Sequence, residues 1–426
     1  MNSSAAARAP SGTLIVGAGQ AGLQLASSMR EIGYIGPITL VGGERHPPYQ
    51  RPPLSKAFLK GKSGVEELSL RGADYYAEHD INVICGEWVD SVTLDDESRS
   101  AGQAITRPGR IFPFERIAFT VGGQPRRMQV PGSHLTGIHY LRTIDDAVAL
   151  KADLAKVAQV IIVGGGFVGL EIAAAATAQG KHVTVLEAQD RLMARVVAPV
   201  MSEFYSNAHR RRGTNIVLNA AVTGFRGDGH VTGAELADGR IIEAEVVVVG
   251  IGLIPHTELA TPLGLATERG IDVDAYGRTR IPSIVAAGDC TNSAHSIYGS
   301  VRLESAPNAI AQAKTAAAGL LGKEPSAPAM PWFWSDQADL KLQLAGLSMG
   351  YDQVVVRGEP DSEQFSALYY RDGRFISIEA VNAPADYMAA RRILETGGNI
   401  PAEAGGDTSI LLKTHLALIT HTTEDQ

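Results

Sequence analysis

The chain is 426 residues long, enough for two or three domains with separate cores. A net charge of −8 with 45% hydrophobic residues gives no expectation of a nucleic-acid surface, and the apolar runs are strand-length, too short to cross a bilayer. The two cysteines, Cys85 and Cys290, stand far apart without C-x-x-C or metal-ligand spacing, so neither a disulfide framework nor a metal site is expected, which suits a cytoplasmic protein.

Residues 1–12, MNSSAAARAPSG, carry no apolar segment and read as a short disordered leader. The run TLIV (13–16) predicts a strand. Gly17, Gly19 and Gly22 follow as G-x-G-x-x-G, then helical spacing over 23–33, a second strand over 37–41 and an acid, Glu44, just beyond. This is a βαβ unit with the parts that a dinucleotide requires. The first glycine makes the turn, the second lets the backbone approach a pyrophosphate, and the third lets the helix pack closely on the strand. Helix amides meet the phosphate charge, and the carboxylate accepts ribose hydroxyls.

Every part recurs further along. QVIIV (159–163) predicts a strand, Gly164, Gly166 and Gly169 a second glycine turn, 170–180 a helix, 182–186 another strand, and Glu187 stands at its end. A glycine pattern alone is a weak signal, but strand, helix and acid accompany it twice. Two such units imply two dinucleotides, and hydride exchange between a nicotinamide and a flavin is the chemistry that brings them together. A duplication with one decayed site is the other reading; both glycine sets and both acids are intact. Residues 284–292, IVAAGDCTN, predict a strand ending at Gly288 and Asp289, with Asp289 placed for a ribityl hydroxyl. Residues 246–255 predict a buried strand that returns the chain to the flavin domain, with 120–132 as the outgoing crossover. The expected fold is therefore α/β. A split FAD-binding Rossmann-like domain (1–120 and 246–330) encloses an NAD(P)H-binding one (121–245), and an α+β C-terminal domain (331–426) follows.

Three segments are more discriminating than the glycines: PPYQRPPLSK (47–56), VRLESAPNAIAQAK (301–314) and PWFWSDQADLKLQLAG (331–346). With the glycine turns, they resemble the FAD-dependent ferredoxin reductases that serve Rieske-type aromatic dioxygenases and bacterial cytochromes P450, a branch of the glutathione-reductase structural group. The resemblance covers nearly the whole chain. It implies that Arg51 and Pro52 lie along the FAD, Lys56 near the flavin N5 edge, and Asp289 on the ribityl chain. It also implies that Trp334 closes over or beside the isoalloxazine, and that Glu171 faces Lys56 across the nicotinamide pocket. For Glu171 the simpler alternative is an acid in the first turn of a helix, favoured by the dipole. The chain departs from the family pattern at Gln50, where Glu is usual, at Pro307 and at His256.

Thiol–disulfide reductases of this group need a cysteine pair, and its oxidases and peroxidases a single cysteine after the second strand; residues 42–56 have none. A flavin without a protein thiol can release electrons singly, and with no Cys₄ set in the chain an iron–sulfur acceptor would belong to a separate partner; the resemblance implies a [2Fe–2S] ferredoxin feeding an oxygenase. Arg302, Lys314, Arg391 and Arg392 are candidate docking cations, whereas HRRRG (209–213) reads as a helix terminus. Glu187 favours NADH by repelling a 2′-phosphate, while Arg191 and Arg195 would let NADPH be tolerated, with Arg195 counted among the cofactor-binding candidates. Two alternatives stay open: an NADH-dependent oxidase or quinone reductase, and a redox-sensing binding protein like the apoptosis-inducing factors. The tail beyond about residue 400 carries no readable motif.

Overall fold

The computed structural model describes residues 11–95, 100–295 and 298–416. Most of the expected leader, residues 1–10, and the end of the tail, 417–426, lie outside the described residues. The chain divides into two compact units, one from Met1–Gln50, Glu66–Gln124 and Ile254–Ala329, the other from Arg51–Val65, Pro125–Leu253 and Met330–Gln426.

In the first unit, Thr13–Val16 is the centre of a five-stranded parallel sheet, flanked by Arg116–Phe119 and Ile38–Gly42, with Ile284–Ala286 and Ile81–Cys85 at the edges. Parallel strands covered on both faces need near-continuous apolar runs, which TLIV supplies. Side chains alternate between the faces. Ile15 and Leu40 pack with Leu25 and Ala313 of the helices Gln20–Glu31 and Ala306–Leu320, whereas Leu14 and Val16 join Val92, Ala104 and Phe114 of a small antiparallel sheet.

The second unit repeats the plan. Gln159–Val163 lies between His182–Leu186 and Val246–Val249 in an all-parallel sheet completed by Asn215–Val217 and Ile138–His139. This corrects one expectation: Val246–Val249 does not return the chain to the first unit but pairs with Val160–Val163. Its four valines are all buried, as a central parallel strand requires. Both glycine-turn helices also begin earlier than the spacing predicted, at Gln20 and Phe167, because each turn leads directly into its helix.

Residues from Trp332 onward form a five-stranded antiparallel sheet in the order Trp332–Gln337, Leu340–Gly346, Arg374–Val381, Gln364–Arg371, Gln353–Glu359. One face packs on the helix Pro384–Glu395. The other shares a core with the parallel-sheet part of the same unit, where Leu342, Phe365 and Tyr369 meet Met201, Phe204 and Tyr205 of the helix Pro199–Arg211.

That helix ends in the HRRRG segment, and the structure gives the cluster more to do than close a helix. His209 Nε2 donates to Gln337 Oε1 at 2.8 Å, Arg212 Nη2 reaches Glu363 at 2.5 Å and its Nε reaches Asp339 at 2.7 Å, while Arg211 adds a second contact to Glu363 at 2.8 Å. The segment therefore bolts the parallel-sheet part to the C-terminal sheet. Arg212 holds the Glu363 carboxyl down to about 2, well below its unfolded value of 4.5. A depressed carboxylate contributes stability in full above its unfolded value and loses it as pH falls through its folded one. Arg212→Ala should therefore cost about 1–2 kcal/mol near neutrality. Denaturation followed against pH should show the gap from wild type closing as the pH falls from about 4.5 toward 2.

Candidate active site

The two glycine turns have the same stereochemistry, position by position. Gly17 and Gly164 adopt φ +112° and +106°, and a Cβ on them would lie 2.2 Å from the Thr120 carbonyl oxygen and 2.5 Å from that of Gly250. A Cβ on Gly22 or Gly169 would stand 2.1 or 2.2 Å from the carbonyl oxygen of the first glycine in its own turn. These positions are closed to any side chain. Gly19 and Gly166 differ, since a Cβ there would meet no atom within 4 Å. The second glycine thus faces open space in both turns, a cradle that a side chain would fill.

What borders that space is equally alike. Gly19 and Gly166 are the N-caps of their helices; neither helix has a capping side chain, and neither carries an acid in its first turn. The helices Ile144–Leu154 and Ala306–Leu320, by contrast, are capped by Thr143 and Ser305. Amides at an uncapped helix start need an acceptor, and a phosphate supplies both the acceptor and the charge that the dipole favours. The acids complete each site. Glu44 accepts from the buried Tyr49 hydroxyl at 2.5 Å. Glu187 accepts the Gly165 amide on Oε2 at 2.7 Å and the Gln189 amide on Oε1 at 2.8 Å, so its carboxylate is fixed beside the turn, with lone pairs left for ribose hydroxyls. Two dinucleotides therefore fit the residues present.

Asp289 lies beyond the Ile284–Ala286 strand, at the carboxyl end of the first sheet, where ligands of open α/β sheets bind. Gly288 beside it has φ +88°, and its Cβ would be 3.3 Å from that of Ala21, so this turn rests on the start of the first glycine-turn helix. Cys290 is fully buried among apolar groups, which pushes its thiol up to about 12, and burial raises Cys85 as well; both are free. Neither is a thiolate near neutrality, so no sulfur relay operates through them.

Lys56 and Glu171 come together in the second unit. Pro52–Ser55 forms a 3₁₀ turn, after which Lys56 Nζ lies 2.7 Å from Glu171 Oε2 and 3.3 Å from the Pro52 carbonyl. Glu171 is 3% exposed and the fifth residue of its helix, hence beyond the first turn; the simple helix-dipole alternative does not account for it. It also accepts Ser55 Oγ at 2.5 Å and Ser335 Oγ at 2.6 Å. Arg51 donates to the Arg142 carbonyl at 2.7 Å. Trp334 is half-buried and stacked on Trp332, with ring centroids 5.6 Å apart, while Phe333 on the opposite face packs 4.7 Å from Phe167 of the Glu171 helix.

Ser55 and Ser335 were not singled out by sequence. The available signal for Ser335 was alternation: Phe333, Ser335 and Gln337 share one face of a strand, with polar residues where apolar ones would ordinarily stand. Of the two arginines after Glu187, Arg191 turns back on its own loop, donating to the carbonyls of Val197 and Ala194 and to Ser202 Oγ; Arg195 is exposed. Among the candidate docking cations, Arg302 pairs with Glu304, while Arg391 and Arg392 pair with Glu395.

The profile of the pyridine nucleotide-disulphide oxidoreductases matches residues 12–313, which contain both glycine turns, and a reductase C-terminal profile matches 332–416. The chain belongs to the pyridine nucleotide-disulphide oxidoreductase family. It is an NAD(P)H-dependent flavoprotein oxidoreductase, binding FAD and a pyridine nucleotide as the family does. Rhodocoxin reductase of Rhodococcus erythropolis is 42% identical over 417 residues, 97% of this chain and 96% of that protein. A ferredoxin–NAD(P)(+) reductase of a Sphingomonas species is 41% identical over 386 residues, 90% of this chain and 92% of its own. A solved covalent putidaredoxin reductase–putidaredoxin complex aligns with a TM-score of 0.91 at 37% identity, covering 96% of this chain and 99% of that one. Despite the family's name, this oxidoreductase has no disulfide among its described residues.

The open space at the second glycine separates folding from binding. Gly166 is extended, with φ −82° and ψ 177°, so alanine fits its backbone. Gly166→Ala should change thermal stability little, the loss of a favoured N-cap residue offsetting the gain in backbone stiffness, yet weaken dinucleotide binding at that turn at least about tenfold. Gly169→Ala should instead lower the thermal midpoint, because its methyl group meets a carbonyl.

Proposed function

We propose that Gly17, Gly19, Gly22, Glu44 and Asp289 hold FAD, that Gly164, Gly166, Gly169 and Glu187 hold NADH, and that the electrons leave singly to the [2Fe–2S] ferredoxin of an oxygenase system. One observation carries this reading: two dinucleotide turns of matching geometry occur in a chain whose only thiols are protonated and unpaired. Electrons entering as hydride then have no internal disulfide to reduce and must pass to an external acceptor. The relatives named as ferredoxin and rhodocoxin reductases support that acceptor's class. The FAD-binding domain would comprise Met1–Gln50, Glu66–Gln124 and Ile254–Ala329, the NADH-binding domain Pro125–Leu253 with Arg51–Val65 packed in the same unit, and 331–426 the C-terminal domain.

When bound, FAD takes a hydride from the nicotinamide and gives up electrons one at a time. The chain's own residues orient and exclude. Lys56 keeps its ammonium against Glu171 and the Pro52 carbonyl, presenting a fixed positive charge and a proton donor. Arg51 and Pro52, from the same turn, would line the FAD, and the Trp334 indole would shield the flavin ring from water. Glu187 sets the nucleotide preference. Its carboxylate is held by two backbone amides and cannot swing aside, so a 2′-phosphate meets a fixed negative charge. Arg191 is committed to its loop, which leaves Arg195 to offset that repulsion, and NADPH is used at lower efficiency.

With NADH as donor, cytochrome c reduction should be strong only when a [2Fe–2S] ferredoxin is added. Equal turnover with oxygen alone, or a long-lived reduced complex without turnover, would reject this reading. Lys56→Met should slow flavin reduction in stopped flow by about 10- to 100-fold. Glu187→Ala should weaken NADH while sparing FAD retention and narrowing the preference over NADPH; loss of the yellow chromophore in that variant would exchange the two site assignments.

A further inference from the structure

Behind the Lys56–Glu171 pair the buried polar contacts continue, and counting donors fixes their direction. Glu171 receives Lys56 and Ser55 on Oε2 and Ser335 on Oε1. Ser335 has a single proton. With that proton on the carboxylate its oxygen is left as an acceptor, and Gln337 Nε2 donates to it at 3.2 Å. Gln337 also sets that nitrogen 4.0 Å from Met193 Sδ, and accepts on Oε1 from His209 Nε2 at 2.8 Å. The order requires the His209 proton on Nε2; burial pushes the ring below its usual range and keeps it neutral. Glu171, Ser335, Gln337 and His209 are each no more than 3% exposed. Polar groups at such depth destabilise a fold unless each finds its partner, and here each does.

The two oxygens of Glu171 are tied to different parts of the fold. Ser55 and Lys56 are neighbours beside one 3₁₀ turn and bind the same oxygen, so alone they leave the carboxylate plane free to rotate. Ser335 stands on the first strand of the C-terminal sheet and fixes the second oxygen. We propose that Ser335, its hydroxyl oriented by Gln337 and His209, is the positioning residue through which the C-terminal domain holds Glu171 against Lys56. The role rests on the assignment of Lys56 and Glu171 to flavin reduction made above. Docking of the C-terminal sheet on the Pro199–Arg211 helix thereby sets the geometry of the pair, since His209 belongs to that helix.

The test uses the FAD-loaded protein labelled with carbon-13 at the glutamate carboxyl, the Glu171 resonance being identified by its loss in Glu171→Gln. Ser335→Ala should move that resonance and lower the limiting rate of flavin reduction by NADH about tenfold, with NADH affinity changed less than about twofold. Ser335→Thr, which keeps the hydroxyl, should restore both. Gln337→Met should move the same resonance and slow the same step without touching Glu171; a silent Gln337→Met overturns the part given to Gln337 and His209. An unmoved resonance in Ser335→Ala overturns the proposal, as does a normal rate there beside a slow Lys56→Met, and a slow Lys56→Met would still support the pair itself. A moved resonance with normal reduction in Ser335→Ala, Lys56→Met and Glu171→Gln upholds the positioning and removes the pair from hydride transfer.

Discussion

The close approach of a helix start to the strand before it is the constraint on which this molecule is built, and it is met twice. The third glycine of each turn lies against the carbonyl of the first, leaving no room for a methyl group. That contact aims an uncapped helix start at the end of a parallel strand. Each helix thus begins with unsatisfied amides, a cost that a capping serine or threonine elsewhere in the chain removes. Left bare beside an open second glycine, they suit a ligand that supplies the acceptors. The first glycine, in a left-handed conformation, turns the chain; the second keeps the approach open.

The second dominant feature is a carboxylate in an apolar helix. Phe167–Thr177 is otherwise apolar up to Thr177, and seven of its residues besides Glu171 are buried. An unpaired charge there would cost several kcal/mol. Three donors converge on it instead, from a 3₁₀ turn and from the C-terminal sheet. The desolvation that makes such a group costly also makes its hydrogen bonds strong, so the Lys56 ammonium is held at a defined place rather than ranging through solvent.

The C-terminal sheet accordingly acts as a buttress for the nucleotide-binding part of its own unit. It contributes Leu342, Phe365 and Tyr369 among others to a shared apolar core, receives Arg211 and Arg212 on Glu363 and Asp339, and sends Ser335 and Gln337 inward. The acidic partners of those arginines lie more than a hundred residues away in sequence, which is why HRRRG read as nothing more than a helix end. The same separation hid Ser335, a lone serine between Trp334 and Asp336 until its strand is laid against the Glu171 helix.

By itself the sequence determined the two βαβ units, their glycines, their acids and the absence of thiol chemistry, because these depend on local spacing: a turn, a 3.6-residue period, a strand of four or five buried aliphatics. It misplaced Val246–Val249, since a run of valines declares that it is buried but not which sheet buries it. Tertiary structure alone decided which arginine after Glu187 stays exposed, what holds Glu171, and what HRRRG grips. Those outcomes turn on side chains that meet across long sequence separations, and no periodicity encodes such meetings.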